Sequence, residues 1–306
     1  MSPHARRVRS RTPDLEADRQ ARIGATLDHI RATFDVASRL QADPVSGVHR
    51  YRAPEDQELV GLACACIAFG NVKAIRAKQD DLLARLGEHP ARVADDPADL
   101  HARLRGWKHR VFRGEDLARL LAGARAVQRA DGSLGARFSR ELSKHGELRE
   151  ALAAWVDAIR DAGGLRPSAR RRGPAHLLPD PRGPSGCKRL LLYLRWMARP
   201  ADGVDLGLWD LGPEHLLIPV DVHIHRLGKN LGFTRRRAAS WRTAEEITAA
   251  LRRYDPEDPA GYDFSLCHMG MLQRCPSRRD AKRCEGCGVK PVCIHWRGGN
   301  SGRVTG

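Results

Sequence analysis

The sequence predicts an all-α protein. Apolar residues recur at three- and four-residue steps along most of the 306-residue chain, whereas the alternation typical of strands is scarce. Hydrophobic residues make up 42% of the chain, which is enough for a packed core and too many for a disordered protein. We therefore expect helices around a substantial core, in one large domain or two modest ones.

The predicted helices begin after a basic N-terminal arm that runs to about Pro13. Residues 15–40 have the pattern of an amphipathic helix, and residues 59–69 are apolar on every side, which is typical of a buried helix. Further helices are expected at residues 72–86, 117–130, 148–162, 187–197, 221–231 and 243–254. Residues 166–186 are predicted to be a loop, because three glycines and several prolines interrupt the pattern around Arg170, Arg171 and Arg172.

The net charge and the cysteines indicate which partners and which cellular compartment to expect. The net charge is +16 and the pI is about 10.1, which favours a partner that carries phosphates, such as nucleic acid. An Arg-rich genome would also produce a basic chain. The sequence contains no run of 18 apolar residues and no secretory signal, so we expect no membrane association and a cytoplasmic protein with reduced thiols.

Two segments carry candidate catalytic groups. Lys188 follows a Gly-containing turn, residues 183–186, at the start of a predicted helix, where the macrodipole and the neighbouring Arg189 both disfavour a charged amine. A neutral lysine is a nucleophile, but a lysine here can also be a phosphate contact or simply exposed. Asp221 begins another predicted helix within Val220-Asp221-Val222-His223, where it is either a functional carboxylate or an ordinary N-cap.

Four cysteines near the C-terminus indicate a metal centre. Cys275, Cys284, Cys287 and Cys293 are spaced C-x8-C-x2-C-x5-C among basic residues. Two intervening residues let the sulfurs of the central pair face one centre. The spacing alone favours structural zinc, with an iron–sulfur cluster as the second choice.

Taken together, these segments resemble the helix-hairpin-helix (HhH-GPD) DNA glycosylase superfamily over about residues 50–295. The segment 220–226 is similar to its catalytic-Asp segment, and the four cysteines to the [4Fe–4S] loop of the endonuclease III branch. Lys188 falls where bifunctional members place the Schiff-base lysine. Arg182-Gly183-Pro184-Ser185-Gly186 replaces the usual Leu-Pro-Gly-Val-Gly hairpin, and the Lys-to-Asp separation is longer, as in archaeal 8-oxoguanine glycosylases. Parts of the chain also resemble a bacterial family of hypothetical proteins assigned to this superfamily.

The resemblance implies an HhH-GPD fold of two helical domains that flank a DNA-binding cleft. Residues 1–48 would supply the basic arm and a helix that packs with the cluster domain. Residues 49–226 would form the domain with the hairpin and Asp221, and residues 227–306 the C-terminal helices and the [4Fe–4S] loop. The implied DNA contacts are Gly183, Ser185, Gly186, Arg189 and His223.

The implied function is base-excision repair of double-stranded DNA by a monomer in the cytoplasm, at the nucleoid. Lys188 would attack C1′, and Asp221 would stabilise the developing charge, so both base removal and AP lyase cleavage are expected. The expected lesion is an oxidised purine such as 8-oxoguanine. The alternatives are a monofunctional glycosylase for uracil or oxidised pyrimidines, with water activated by Asp221, and a non-catalytic DNA-binding module stabilised by zinc or a cluster.

Overall fold

The computed structural model describes residues 11–166 and 171–296 and is predominantly helical. Across these ranges the helices are α1 (Arg11–Thr33), α2 (Val36–Leu40), α3 (Pro54–Ile67), α4 (Val72–Leu86), α5 (Pro90–Ala94), α6 (Pro97–Arg103), α7 (Gly114–Asp131), α8 (Leu134–His145), α9 (Leu148–Gly163), α10 (Gly173–Leu177), α11 (Lys188–Ala198), α12 (Val222–Leu231), α13 (Trp241–Leu251) and α14 (Asp263–Leu272). Strands β1 (Lys108–His109) and β2 (Phe112–Arg113) pair antiparallel, with His109 opposite Phe112. No helix within these ranges is long and apolar enough to cross a membrane.

The all-α class predicted from the sequence is confirmed, with two local corrections. The single helix expected at 15–40 is two helices, because the Asp35 carboxylate accepts the Ser38 amide at 3.1 Å and so starts α2 anew. The loop expected at 166–186 contains α10, which has Pro174 in its first turn, where proline is tolerated. The first ten residues of the predicted basic arm, and Arg170, lie outside the described residues.

The chain divides into two compact units. Unit 1 comprises Met1–Phe34, Val222–Arg236 and Tyr262–Gly306, and unit 2 comprises Asp35–Asp221 and Arg237–Gly261. The helical domain outlined from the sequence ended at residue 226. In the structure, the first segment of unit 2 ends at Asp221, and a second segment, Arg237–Gly261, adds α13 to the same unit.

The core of unit 2 is built on α3, which is buried from Glu58 to Ile67. Close approach to α11 is possible because position 61 is glycine: a Cβ there would lie 2.8 Å from Met197 Cε and 3.2 Å from the Tyr193 ring. The Glu58 carboxylate, itself buried, accepts hydrogen bonds at the start of α8 and from Trp209 Nε1. The Tyr193 hydroxyl of α11 donates to Glu58 O at 3.1 Å, and the residues of α11 from Arg189 onward are buried.

The core of unit 1 gathers α1, α12 and α14. Ile23 and Leu27 of α1 are fully buried. Helices α12 and α14 approach closely at Gly270, where a Cβ would lie 3.2 Å from Leu227. Between α14 and residue 296, where the description of the chain ends, the only helical elements are the short 3-10 turns Lys290–Val292 and Ile294–Trp296.

Candidate functional site

Unit 2 brings together Lys188 and Asp221, the two residues that the sequence selects as catalytic. Lys188 Nζ lies 3.9 Å from Asp221 Oδ2. The lysine side chain is 35% exposed and that of Asp221 15%. The distance is at the loose limit of an ion pair, so the amine is held near the carboxylate and remains open to solvent. An amine and a carboxylate so placed can act as nucleophile and charge stabiliser on one reacting centre.

The turn before Lys188 is shaped by two backbone constraints. Gly186 packs against the chain before α13, where a Cβ would lie 2.5 Å from the Ala239 carbonyl oxygen, so only glycine fits without a shift. Cys187 has a φ of +47°, a left-handed conformation that a non-glycine residue adopts only when its surroundings impose it. Its amide donates to Ser185 Oγ at 3.1 Å. Helix α11 therefore starts from a strained, tightly packed turn.

The Cys187 thiol itself is a packing group. Its side chain is buried, and this burial raises its pKa to about 11. It is therefore protonated at neutral pH and is not a nucleophile.

Arg149 of α9 binds the backbone of the chain that leads into this turn. Its guanidinium donates to the carbonyl oxygens of Pro181 at 2.8 Å and Gly183 at 3.0 Å, and lies 5.7 Å from the centre of the Trp241 ring. The Gly183 amide donates to Asp180 O at 3.1 Å. A phosphate contact at Gly183 would therefore need a group other than this amide. The DNA contacts expected of Gly183, Ser185 and Gly186 remain predictions.

Arg189 points into unit 2, away from the solvent. It is 8% exposed, and its guanidinium donates to the carbonyl oxygens of Cys66 and His176. The same group lies 5.2 Å from the Phe69 ring centre, and burial lowers its pKa. These two consecutive residues of α11 therefore have different roles. The Lys188 side chain is accessible to solvent, whereas Arg189 links α11 to α3 and α10.

The two histidines that follow Asp221 lie on α12, in unit 1. His223 is half-buried where α12 packs on Gly270 of α14. His225 Nε2 is 3.0 Å from Arg236 O. The contact of His223 with DNA remains a prediction.

The four candidate metal ligands of unit 1 line one cavity. All eight cysteines lie in the described ranges, and none of them forms a disulfide there. The cavity is partly open to solvent, and Cys275, Cys284, Cys287 and Cys293 all contribute to its wall. Burial raises the pKa of Cys275 to about 11 and raises those of Cys287 and Cys293 as well, so a cationic centre is needed to hold them as thiolates.

The rest of the cavity wall suits a thiolate-bound centre. Lys290 and Arg278 supply positive charge, and the buried Trp296 Nε1 donor has no hydrogen-bond acceptor within residues 11–166 and 171–296. Asn230 Nδ2 donates to Cys275 Sγ at 3.2 Å. In the part of the chain that the structure describes, no three His, Cys, Asp or Glu side chains already converge in a geometry that holds a metal ion. The fit therefore lies in the donor set and its shared cavity.

Asn230 and Arg226 both contact Cys275, and neither was expected there from the sequence. Arg226 Nη1 donates to Cys275 O at 2.5 Å. Both residues lie on α12, more than 40 positions before Cys275. An Asn and an Arg on an amphipathic helix carry no spacing signal, so only the fold reveals them.

A family model described as "Protein of unknown function (DUF2400)" matches residues 43–272. The chain belongs to this family. No curated protein matches the chain, and no solved structure does. The DUF2400 match includes Lys188 and Asp221 and ends at Leu272, the last residue of α14, so all four cavity cysteines follow it.

Proposed function

We propose that this protein is a DNA base-excision repair enzyme, a glycosylase with AP lyase activity. The observation that carries the proposal is the 3.9 Å separation between Lys188 Nζ and Asp221 Oδ2 at the start of α11. A binding module has no need of a solvent-accessible amine held beside a carboxylate. The net charge of +16 supports a polyanionic substrate.

The proposed reaction begins with a flipped nucleotide, because C1′ is unreachable inside a duplex. The Lys188 amine forms a bond to C1′ as the glycosidic bond breaks, and the base leaves with the electron pair. Asp221 stabilises the positive charge that develops on the sugar and takes the proton that the amine releases. Opening of the sugar ring leaves a Schiff base, and β-elimination then expels the 3′ phosphate. The preferred lesion is an oxidised purine such as 8-oxoguanine.

The four cysteines are proposed to hold a [4Fe–4S] cluster as a structural element of unit 1. The four thiols in one cavity wall, the nearby positive charges and the Trp296 N–H, which has no hydrogen-bond acceptor among the described residues, support a negatively charged group. Zinc is the alternative. Iron, sulfide and zinc analysis of the purified protein, together with its colour, distinguishes the two.

Borohydride trapping on a panel of lesion duplexes tests the enzymatic proposal. The wild-type protein should give a covalent adduct with its substrate, and Lys188→Gln should give none while still binding the lesion. Asp221→Asn should slow base release about 100-fold, the effect of losing one preorganised electrostatic stabiliser. Lys73→Gln, at an exposed position of α4, controls for the loss of one positive charge.

The same panel separates the alternatives. If Lys188→Gln releases base at the wild-type rate and loses only strand cleavage, the enzyme is monofunctional and Asp221 activates water. Full activity of both variants on a proven substrate would show that this site is not catalytic. Lesion-independent binding with no base release by the wild-type protein on any duplex would favour the non-catalytic module.

A further inference from the structure

Asn230 connects three parts of the cysteine cavity. It is 4% exposed, and its Nδ2 donates to Cys275 Sγ at 3.2 Å and to Pro276 O at 3.3 Å. On its other side, Asn230 Oδ1 lies 3.1 Å from His295 Nε2. An amide oxygen only accepts, so this imidazole nitrogen carries the proton. The histidine thereby fixes which end of the amide faces the sulfur.

We infer that Asn230 and His295 form a positioning pair that holds Cys275 as a metal ligand and modulates its sulfur. The inference rests on the proposed metal-binding role of the four cysteines. An N–H group directed at a thiolate sulfur withdraws electron density from it, which stabilises a reduced iron–sulfur centre. Partners of this kind typically change metal affinity 10- to 100-fold.

The side-chain contacts that α12 makes with Cys275 and Pro276 support this role. Asn230 and Arg226 are four residues apart, so they share one face of the helix. Arg226 binds the carbonyl oxygen of Cys275, while Asn230 binds its sulfur and the next carbonyl oxygen. Both the backbone and the side chain of the first cysteine are therefore held by a regular helix. Cys284, Cys287 and Cys293 lie in a segment with only short turns.

Gln273 offers a matched control. It also lines the cavity through a primary amide, but that amide donates to the carbonyl oxygens of Arg283 and Glu285. Removal of this amide disturbs loop backbone near Cys284 without removing a bond to a sulfur. A comparison of the two positions separates loop support from an effect on the ligand.

The experiment uses the metal-loaded protein and measures two quantities: the rate at which a chelator removes the metal, and the reduction potential. Asn230→Leu should release metal about 10- to 100-fold faster and shift the potential to a lower value. His295→Phe should do the same more weakly, whereas His295→Gln, which restores a donor, should lie close to the wild type. Gln273→Leu should leave the potential unchanged.

The outcomes separate this inference from the cluster proposal. Iron in the wild type, with unchanged release and potential in Asn230→Leu and His295→Phe, overturns the positioning pair alone. Zinc in the wild type overturns the cluster, and faster zinc release from the variants would then support the pair. A wild-type protein that binds neither metal overturns both. If Asn230→Leu does not fold, His295→Phe and His295→Gln decide the question.

Discussion

The turn before Lys188 and the segment that holds the cysteines achieve their geometry in opposite ways. The turn is fixed by the protein's own packing: Gly186 against the Ala239 carbonyl, Arg149 on two carbonyl oxygens, and a buried α11 behind it. The segment after α14 has two short 3-10 turns and surrounds a cavity. The first arrangement is held by contacts within unit 2, whereas the second places four cysteines in the wall of one cavity that is partly open to solvent.

This difference predicts which interactions stabilise the folded structure of each region. Helix α11 is buried along its length by α3 and its neighbours, so the position of Lys188 draws on the core of unit 2. The cysteine segment has few apolar anchors, so metal binding should be coupled to its folding. The two regions should therefore respond differently to substitution and to loss of metal.

The largest effect is expected at the cysteines. Cys284→Ser or Cys287→Ser removes a ligand, and we expect loss of most bound iron, loss of colour and rapid proteolysis within residues 274–296. The far larger unit 2 should keep its unfolding transition. Metal analysis, limited proteolysis and urea unfolding followed by fluorescence measure these quantities, since five of the six tryptophans belong to unit 2.

Cys267→Ser is the control for this comparison. Cys267 lies on α14 and does not line the cavity. Its serine variant should retain the iron of the wild type. Full iron in both Cys284→Ser and Cys287→Ser would contradict the ligand assignment.

A smaller effect, confined to unit 2, is expected at Gly186. An alanine Cβ would meet the Ala239 carbonyl oxygen at 2.5 Å, so the turn or α13 must move, at a cost of about 1–3 kcal/mol. Gly186→Ala should therefore lower the urea midpoint of unit 2 and reduce borohydride trapping, while the metal content stays unchanged. Gly183→Ala, whose Cβ would approach Asp180 O only to 3.3 Å, should cost less. Equal stability of the two variants would show that the turn is not held by this contact.

The sequence predicted regular elements better than the contacts between them. The helix expected at 72–86 coincides with α4, because a long apolar period is a local property of the chain. The close contacts of Gly123 with Ile159 and of Gly61 with Met197 depend on how the helices pack in the folded chain. They could not be predicted from the sequence. The short α10 and the two-residue strands β1 and β2 carry too few residues to show a period.

The residues of the candidate site show the same difference between local sequence patterns and tertiary contacts. Lys188, Asp221 and the four cysteines carry recognisable residue types in recognisable order, so the sequence could select them. The inward direction of Arg189 could not be read from its position beside Lys188, because it depends on carbonyl oxygens of α3 and α10. Asn230 and His295 were likewise invisible, since their role comes from one shared sulfur that lies far away in the chain.

The smallest expected effect is a pH dependence of unit 2 that does not involve the metal. His109 of β1 is 5% exposed, and burial lowers its pKa from the usual 6.5, with the nearby Arg110 charge contributing. Above pH 6.5 the imidazole is neutral in both the folded and the unfolded chain. As the pH falls below 6.5, the unfolded chain takes up a proton that the folded chain resists, so stability is lost, at up to about 1.4 kcal/mol per pH unit for one such group. The urea midpoint of unit 2 should therefore fall between pH 7 and pH 5 at constant iron content.

His109→Phe, which keeps an aromatic ring against Phe69, should flatten this dependence. His109→Gln should flatten it as well, at lower overall stability, because it removes the titration but not the buried polar group. An unchanged slope in both variants would place the acid sensitivity elsewhere, with His176 the next group to test, because burial lowers its pKa too.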